Sequence, residues 1–172
     1  MFQTAGSRNE VGFVNGLERR GFTVPKSVSE KLANARDAFA TNVTFNILQS
    51  ESEIHVVDDG EAMTMLKLLN MFDSGRENHG NDKSMGVSGC GGLHANYQLS
   101  KNDLEQPRTT HVFTKHKDGD YLKATVPWNE IYRDKKYDGK IRIVPMTTEE
   151  IQRFIAERGN RPDATGTTFI FP

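Results

Sequence analysis

The sequence predicts an α+β domain in which helices cover a mixed, mostly antiparallel sheet. Three observations carry the prediction. Alternating stretches come in pairs around turn signals, 43–48 with 53–57 and 109–115 with 121–126. Apolar residues recur at helical spacing over 25–40 and 64–72. Hairpins and helices are mixed along one chain.

Each element follows from its local pattern. Residues 9–20 are an expected short helix with Val11, Val14 and Leu17 on one face. Pro25 fits the first turn of a second helix running to about Ala40, with Val28, Leu32, Ala35 and Phe39 toward the core. The stretches 43–48 and 53–57 are expected antiparallel neighbours joined through Gln49-Ser50-Glu51-Ser52. After the loop Asp58-Asp59-Gly60, the stretch 64–72 reads as a helix with Met65, Leu68, Leu69 and Phe72 apolar. From Asp73 to Gly92 the chain is polar and holds six glycines. A connection this long without structure is usually functional or disordered. A helix over 93–99 starts where the glycines end. Lys117-Asp118-Gly119-Asp120 is the turn of the second hairpin. A short strand is expected over 140–144. Thr147-Thr148-Glu149-Glu150 is a capping box opening a helix that ends near Gly159. The last strand runs over 166–171. No internal repeat breaks the chain, and residues 1–172 are expected to form a single domain.

Composition removes several classes. The chain has 172 residues, with 22 Lys+Arg against 23 Asp+Glu. Nine basic and twelve acidic side chains lie in the first hundred residues, thirteen and eleven in the rest, so neither part is basic enough to argue for nucleic acid. No apolar run approaches the roughly 20 residues that span a bilayer. The first ten residues lack the basic and apolar regions of a signal peptide. One cysteine, Cys90, cannot form an internal disulfide, which points to a reducing compartment. A cytoplasmic protein is the expectation.

Three polar clusters carry chemistry. Glu30, Asn34 and Asp37 are spaced by four and three, which puts them on one helix face. A solvated stripe looks the same. A carboxamide and carboxylate one turn apart can also hold Mg²⁺ and orient a water. Asp58-Asp59-Gly60-Glu61-Ala62-Met63 follows a strand. It reads as an acidic turn, or as a carboxylate placed to accept from an exocyclic amine, with Gly60 letting a flat ring approach. Gly86-Val87-Ser88-Gly89-Cys90-Gly91-Gly92 enters a helix. Such a loop exposes amide N–H groups at a positive dipole end, an anion site. It is neither a Walker A loop nor a dinucleotide fingerprint.

In chain order these clusters resemble the motifs of the GHKL ATPases: gyrase B subunits, large heat-shock chaperones, histidine kinases, MutL and MORC relatives. The first motif, E-x-x-x-N-x-x-D-A, is matched by Glu30, Asn34, Asp37 and Ala38. The second, D-x-G-x-G-M, is matched by Asp58, Gly60 and Met63, with Ala62 in place of the second glycine. The third, G-x-x-G-x-G, is matched by Gly86, Gly89 and Gly91. The last is a Gly-Thr entering the final strand, here Gly166-Thr167. The look is closest to the gyrase B and MORC branch, and the resemblance covers about 24–172.

The resemblance implies a two-layer α/β sandwich, the Bergerat ATP-binding fold, with ATP and Mg²⁺ as ligands. It implies Glu30 as the base that polarises the attacking water and Asn34 as the Mg²⁺ ligand. Asp37 would lie near the sugar or the bound waters. Asp58 would accept the adenine amino group, joined through water by Thr167, with Met63 against the ring. Gly86, Gly89 and Gly91 would give amides to the phosphates. Residues 73–92 would form the lid, from which Lys83 reaches a phosphate; Lys101 is a weaker candidate. ATP would close the lid and drive a homodimer, in a larger machine whose transducer follows the Gly-Thr strand. A stand-alone protein kinase and a non-hydrolysing nucleotide-gated module are the alternatives. Lys31 departs from the pattern, since an apolar residue usually follows the glutamate; it must snorkel, or the packing differs.

The other polar residues point to less. Cys90 and His94 lack the further ligands that structural zinc requires. His79 reads as an exposed lid residue, His111 and His116 as packing or surface residues. Trp128, after Pro127, reads as a core or domain-edge aromatic. Arg133, Lys135 and Lys136 beside Tyr132 and Tyr137 form a small basic spot, read as a solvated loop.

Overall fold

The computed structural model describes residues 10–19, 22–72, 91–101, 108–137 and 139–172. Its described residues form six helices and six strands, in the order α1 Glu10–Arg19, α2 Val24–Asp37, β1 Val43–Leu48, β2 Glu53–Asp58, α3 Met65–Phe72, α4 Gly91–Leu99, β3 Thr109–Lys115, β4 Tyr121–Pro127, α5 Trp128–Asp134, β5 Arg142–Pro145, α6 Thr148–Ala156 and β6 Gly166–Phe171. The strands form one sheet in the order β1-β2-β6-β3-β4-β5. Among the described residues every pairing is antiparallel, so the sheet is wholly antiparallel and not mixed. The α+β sandwich is as expected.

Local chemistry starts and stops the elements where the sequence places them. Thr23 caps α2 by accepting from the Lys26 N–H, with Pro25 in the first turn. Thr147 and Glu150 close a reciprocal capping box on α6. The missed element is α5, which starts at Trp128 directly after β4. Trp128 is fully buried and donates from its indole N–H to Thr110 Oγ1 at 2.9 Å.

Strand alternation sends side chains to two faces. On the front, Val56, Val112, Leu122, Ala124, Val126, Phe169 and Phe171 pack with Val14, Leu68, Phe72, Leu93, Tyr97 and Ile131 from the helices. On the back, a smaller core joins Phe113, Ile170 and Met146 to Phe154 of α6. The helix–sheet sandwich therefore carries one further helix on its other side.

One expected face is turned. The residues of α2 that are buried are Ser27, Lys31 and Ala35. Leu32 is 45% exposed and Phe39, beyond the helix, 81% exposed with φ at 57°. The helix has rotated its apolar stripe partly outward, which leaves Lys31 against the sheet.

Charged groups fasten α6 and the residues just after it to β2. His55 of β2 is buried, with Nδ1 on the Glu157 carboxylate and Nε2 2.9 Å from Glu53 Oε2. Arg153 reaches Glu51 and Glu53 at 2.8 and 2.7 Å. Burial alone would lower the His55 pKa, but the bonds to Glu157 and Glu53 outweigh it and raise the value above 6.5. A histidine that holds its proton more tightly when folded contributes stability fully below its unfolded pKa and loses it as pH rises through the folded one. Denaturant unfolding of the native chain and His55→Gln should therefore show a gap that is widest below the ordinary histidine pKa of about 6.5 and narrows as pH rises above it.

Gly166 is where β6 meets the end of β2. Its φ is +129°, and a methyl there would overlap the Asp58 carbonyl oxygen and lie 3.0 Å from its carbon. The strain and the overlap together make Gly166→Ala destabilising by about 3 kcal/mol or more, read by the same unfolding titration.

Candidate functional site

The sheet supplies one wall. Asp58 ends β2, and its Cα partner is Thr167 of β6, whose other neighbour is Thr114 of β3. Directly opposed residues point to one face. Three polar side chains thus stand in a row on the front of the sheet, beside Val56, Phe169 and Val112 in the next row.

Asp58 is held firmly. Its Oδ1 accepts from the Gly60 N–H at 3.0 Å and the Thr167 N–H at 3.3 Å. Among the described residues Oδ2 takes no hydrogen bond, so one carboxylate oxygen is left for a ligand. Burial pushes the carboxyl above its usual range, while the Gly60 N–H, the Arg158 charge and the Thr167 N–H pull it back. Arg158 works from behind. It is buried and donates to the Asp58 carbonyl at 3.0 Å and to Thr168 Oγ1 at 3.0 Å.

Thr114 ties the row together. Its hydroxyl oxygen accepts from the Met63 N–H at 2.9 Å, donates to the Gly166 carbonyl at 3.3 Å, and lies 3.4 Å from Thr167 Oγ1. Met63 packs at the margin of the front core. Gly60 meets crowding: a Cβ there would lie 2.7 Å from the Ala38 carbonyl oxygen. What its missing side chain makes room for is the end of α2. Ala62 is buried and lies outside the left-handed region, so the methyl that replaces the motif's second glycine fits without that strain. Asp59 is structural. Its carboxylate accepts from both Thr41 and Asn42, which fixes the turn between α2 and β1 and holds its pKa well below the usual carboxylate range.

The helices supply the other wall. Glu30 and Asn34 of α2 face the first turn of α4. A methyl on Gly91 would overlap Glu30 Oε1 and lie 2.7 Å from its Cδ. One on Gly92 would lie 3.4 Å from Asn34 Nδ2. The carboxylate therefore rests at the amide-rich, positive end of a helix, where negative charge is stabilised. Asp37 is one turn further on, at the exposed end of α2, and pairs with Arg36 at 3.4 Å.

Lys31 lies between the walls. Its ammonium donates to Asn96 Oδ1 of α4 and stands 3.5 Å from the centroid of the Phe169 ring. Snorkelling is not its solution; it is 2% exposed.

Of the residues singled out from sequence, the structure brings Glu30, Asn34 and Gly91 together, and Asp58, Gly60, Met63 and Thr167 together. Lys83, Gly86 and Gly89 lie outside the described residues, as do Cys90, His79 and most of 73–92. Lys101 stands over the Tyr97 ring at 4.9 Å. Among the described residues no cluster of His, Cys, Asp and Glu is arranged to hold a metal, and no helix is long and apolar enough to cross a membrane. The basic spot is partly neutralised: Asp134 takes both Arg133 and Lys140. Sequence reading missed Thr114 and Arg158. Neither gave a local signal: the inward face of β3 carries a second buried threonine, Thr110, and Arg158 stands just past a helix end like an ordinary charged residue.

No curated protein matches the chain. A family model does, described as histidine kinase-, DNA gyrase B- and HSP90-like ATPase, over residues 22–158. That span holds both walls of the site apart from the Gly166-Thr167 strand. The chain belongs to the family of histidine kinase-, DNA gyrase B- and HSP90-like ATPases.

Proposed function

We propose that the chain binds ATP with Mg²⁺ and hydrolyses it. Family membership supports ATP as the ligand. The observation that carries the reading is the placement of Glu30 against Gly91, at the head of α4, across from the Asp58–Thr167–Thr114 row. One wall offers a carboxylate oxygen to an adenine amino group. The other offers amides to phosphate and a carboxylate to water.

Each residue then has a role. Asp58 Oδ2 accepts from the exocyclic amine, with Thr167 and Thr114 beside it; guanine, which carries a carbonyl there, would face it acceptor to acceptor. Met63 packs against the ring. Asp37 stands on the solvent side, toward the sugar and its waters. Gly86, Gly89 and Gly91 give amides to the phosphates, with Lys83 reaching from the lid. Asn34 fits a hard cation through its chemistry: its carboxamide lies beside Gly92 with the nitrogen nearest, and a turn of the amide would present the oxygen to the metal. A bound Mg²⁺ would neutralise charge on the phosphates. Glu30 orients a water and takes its proton as the oxygen bonds to the γ-phosphorus and the bond to the bridging oxygen breaks, releasing ADP. Closure of 73–92 and dimerisation on ATP are part of the same proposal.

Melting with and without Mg²⁺ and the β,γ-imido analogue of ATP tests binding. Saturation at about a hundred times Kd adds roughly 2.7 kcal/mol to the native chain, and the rise should vanish in Asn34→Ala and Asp58→Asn. With labelled ATP, the native chain should release free phosphate. Glu30→Gln should still bind but lose at least about a hundredfold in rate, and Gly91→Ala, which pushes the carboxylate aside, should lose rate more than affinity. Label on protein instead would mean a kinase; no binding would overturn the reading. Sedimentation with and without the analogue checks the dimer.

A further inference from the structure

A buried lysine in the helix–sheet contact has no structural reason to be charged. Lys31 has three N–H donors, and its oxygen partner is Asn96 Oδ1. The rings of Phe169 and Phe171, at 3.5 and 5.6 Å, give it aromatic faces. An ammonium cannot accept, so Asn96 must turn its oxygen toward it. Among the described residues the amide nitrogen of Asn96 is then buried without a partner. A buried cation and an orphaned donor are both costly, and an apolar pair of the same volume would be as stable or more so.

What the position does offer is charge. Lys31 follows Glu30 in α2, and the two carboxylates that act on it are those of Glu30 and Asp58, one from each wall of the site. The site carries Asp37 as well, and its proposed ligand is a polyphosphate. In that reading Mg²⁺ and Lys83 act on the phosphates; the wall carboxylates themselves still repel an anionic ligand unless a cation lies between them.

We propose that Lys31 is a positioning residue of the nucleotide site: its ammonium is a buried counter-charge to Glu30 and Asp58 that lets the acidic cleft accept polyphosphate. The inference rests on the nucleotide-binding reading above. Because the charge is buried, salt screens it little. Burial brings the Lys31 pKa down to about 7, against the upward pull of Glu30 and then Asp58. Among the described residues the other titratable groups on the packed elements are His94 of α4, whose ring lies 5.5 Å from that of Phe22, and Tyr97 of α4, whose phenol is neutral near pH 7; β6 brings none. A polyphosphate arriving beside a lysine poised there draws a proton onto it. Affinity is then highest below about pH 7 and falls as pH rises through that value.

Calorimetry on the full chain with Mg²⁺ tests this, using the β,γ-imido analogue of ATP and, by competition, adenosine. The variants are Lys31→Met and Lys31→Met with Asn96→Leu, the second removing the orphaned amide so that a folded protein is obtained. The analogue should bind both variants about tenfold more weakly, the effect of one nearby charge, while adenosine changes by less than about twofold. Titrations in buffers of different ionisation enthalpy should show proton uptake by the native chain near neutral pH, absent in both variants. Parallel loss for both ligands, no loss for either, or proton uptake that persists in the variants would overturn the proposal. A native chain that binds neither ligand would overturn the nucleotide reading itself.

Discussion

The site depends on the last strand lying in the middle of the sheet. β6 enters between β2 and β3, and the Thr167 N–H reaches Asp58 across 109 residues of chain. Closing so long a loop costs entropy that no single contact repays. Both cores repay it, because β6 is buried along its whole length. Phe169 and Phe171 face the front helices, and Ile170 faces α6. The polar row is one rung of that ladder. It cannot form on the β1–β2 hairpin or on the β3–β4 hairpin alone; it belongs to the complete sheet.

The same strand explains how the two sides of the sheet cooperate. Asp58 must remain a carboxylate although buried, and burial works against that. The opposing groups come from three directions: Gly60 from the following loop, Thr167 from β6, and Arg158 from behind. Arg158 is itself positioned by α6, which the Glu53, Glu157, His55 and Arg153 network fastens to β2. The back of the sheet has no part in the cleft, yet it holds the backbone from which Asp58 projects.

Most of the elements were legible because their causes are local. A capping box, a Pro in a first turn and an Asp-Gly turn act within a few residues, and all three stand where the sequence put them. The motif residues were legible through their order along the chain. The rotation of α2 was not, because its cause lies elsewhere. Glu30 and Asn34 have to meet the glycines of α4, and at 3.6 residues per turn that choice turns Ser27, Lys31 and Ala35 inward and Leu32 outward. Hydrophobic periodicity proposes one face; the α2–α4 contact imposes another. Thr114 and Arg158 were illegible for a related reason. Their partners, Met63, Gly166 and Asp58, are distant in sequence, and nothing local distinguishes the pair from ordinary strand and helix-end residues.

Stability is therefore unevenly distributed. The back core of Phe113, Ile170, Met146 and Phe154 and the β3–β4 hairpin follow their local patterns. The contact between α2 and α4 breaks several at once. It buries a lysine, orphans an amide, and replaces side chains with glycines where a carboxylate must fit. Folds tolerate such conflicts where function requires the geometry and other regions carry the stability. That these departures fall on one helix pair, facing the Asp58 row, is an argument for where the chemistry is that does not depend on any motif. It also orders the consequences of change. On the proposed nucleotide reading, substitutions that make the α2–α4 contact more apolar should strengthen the fold and weaken the site, because Lys31, which costs stability there, is also the proposed counter-charge of the cleft.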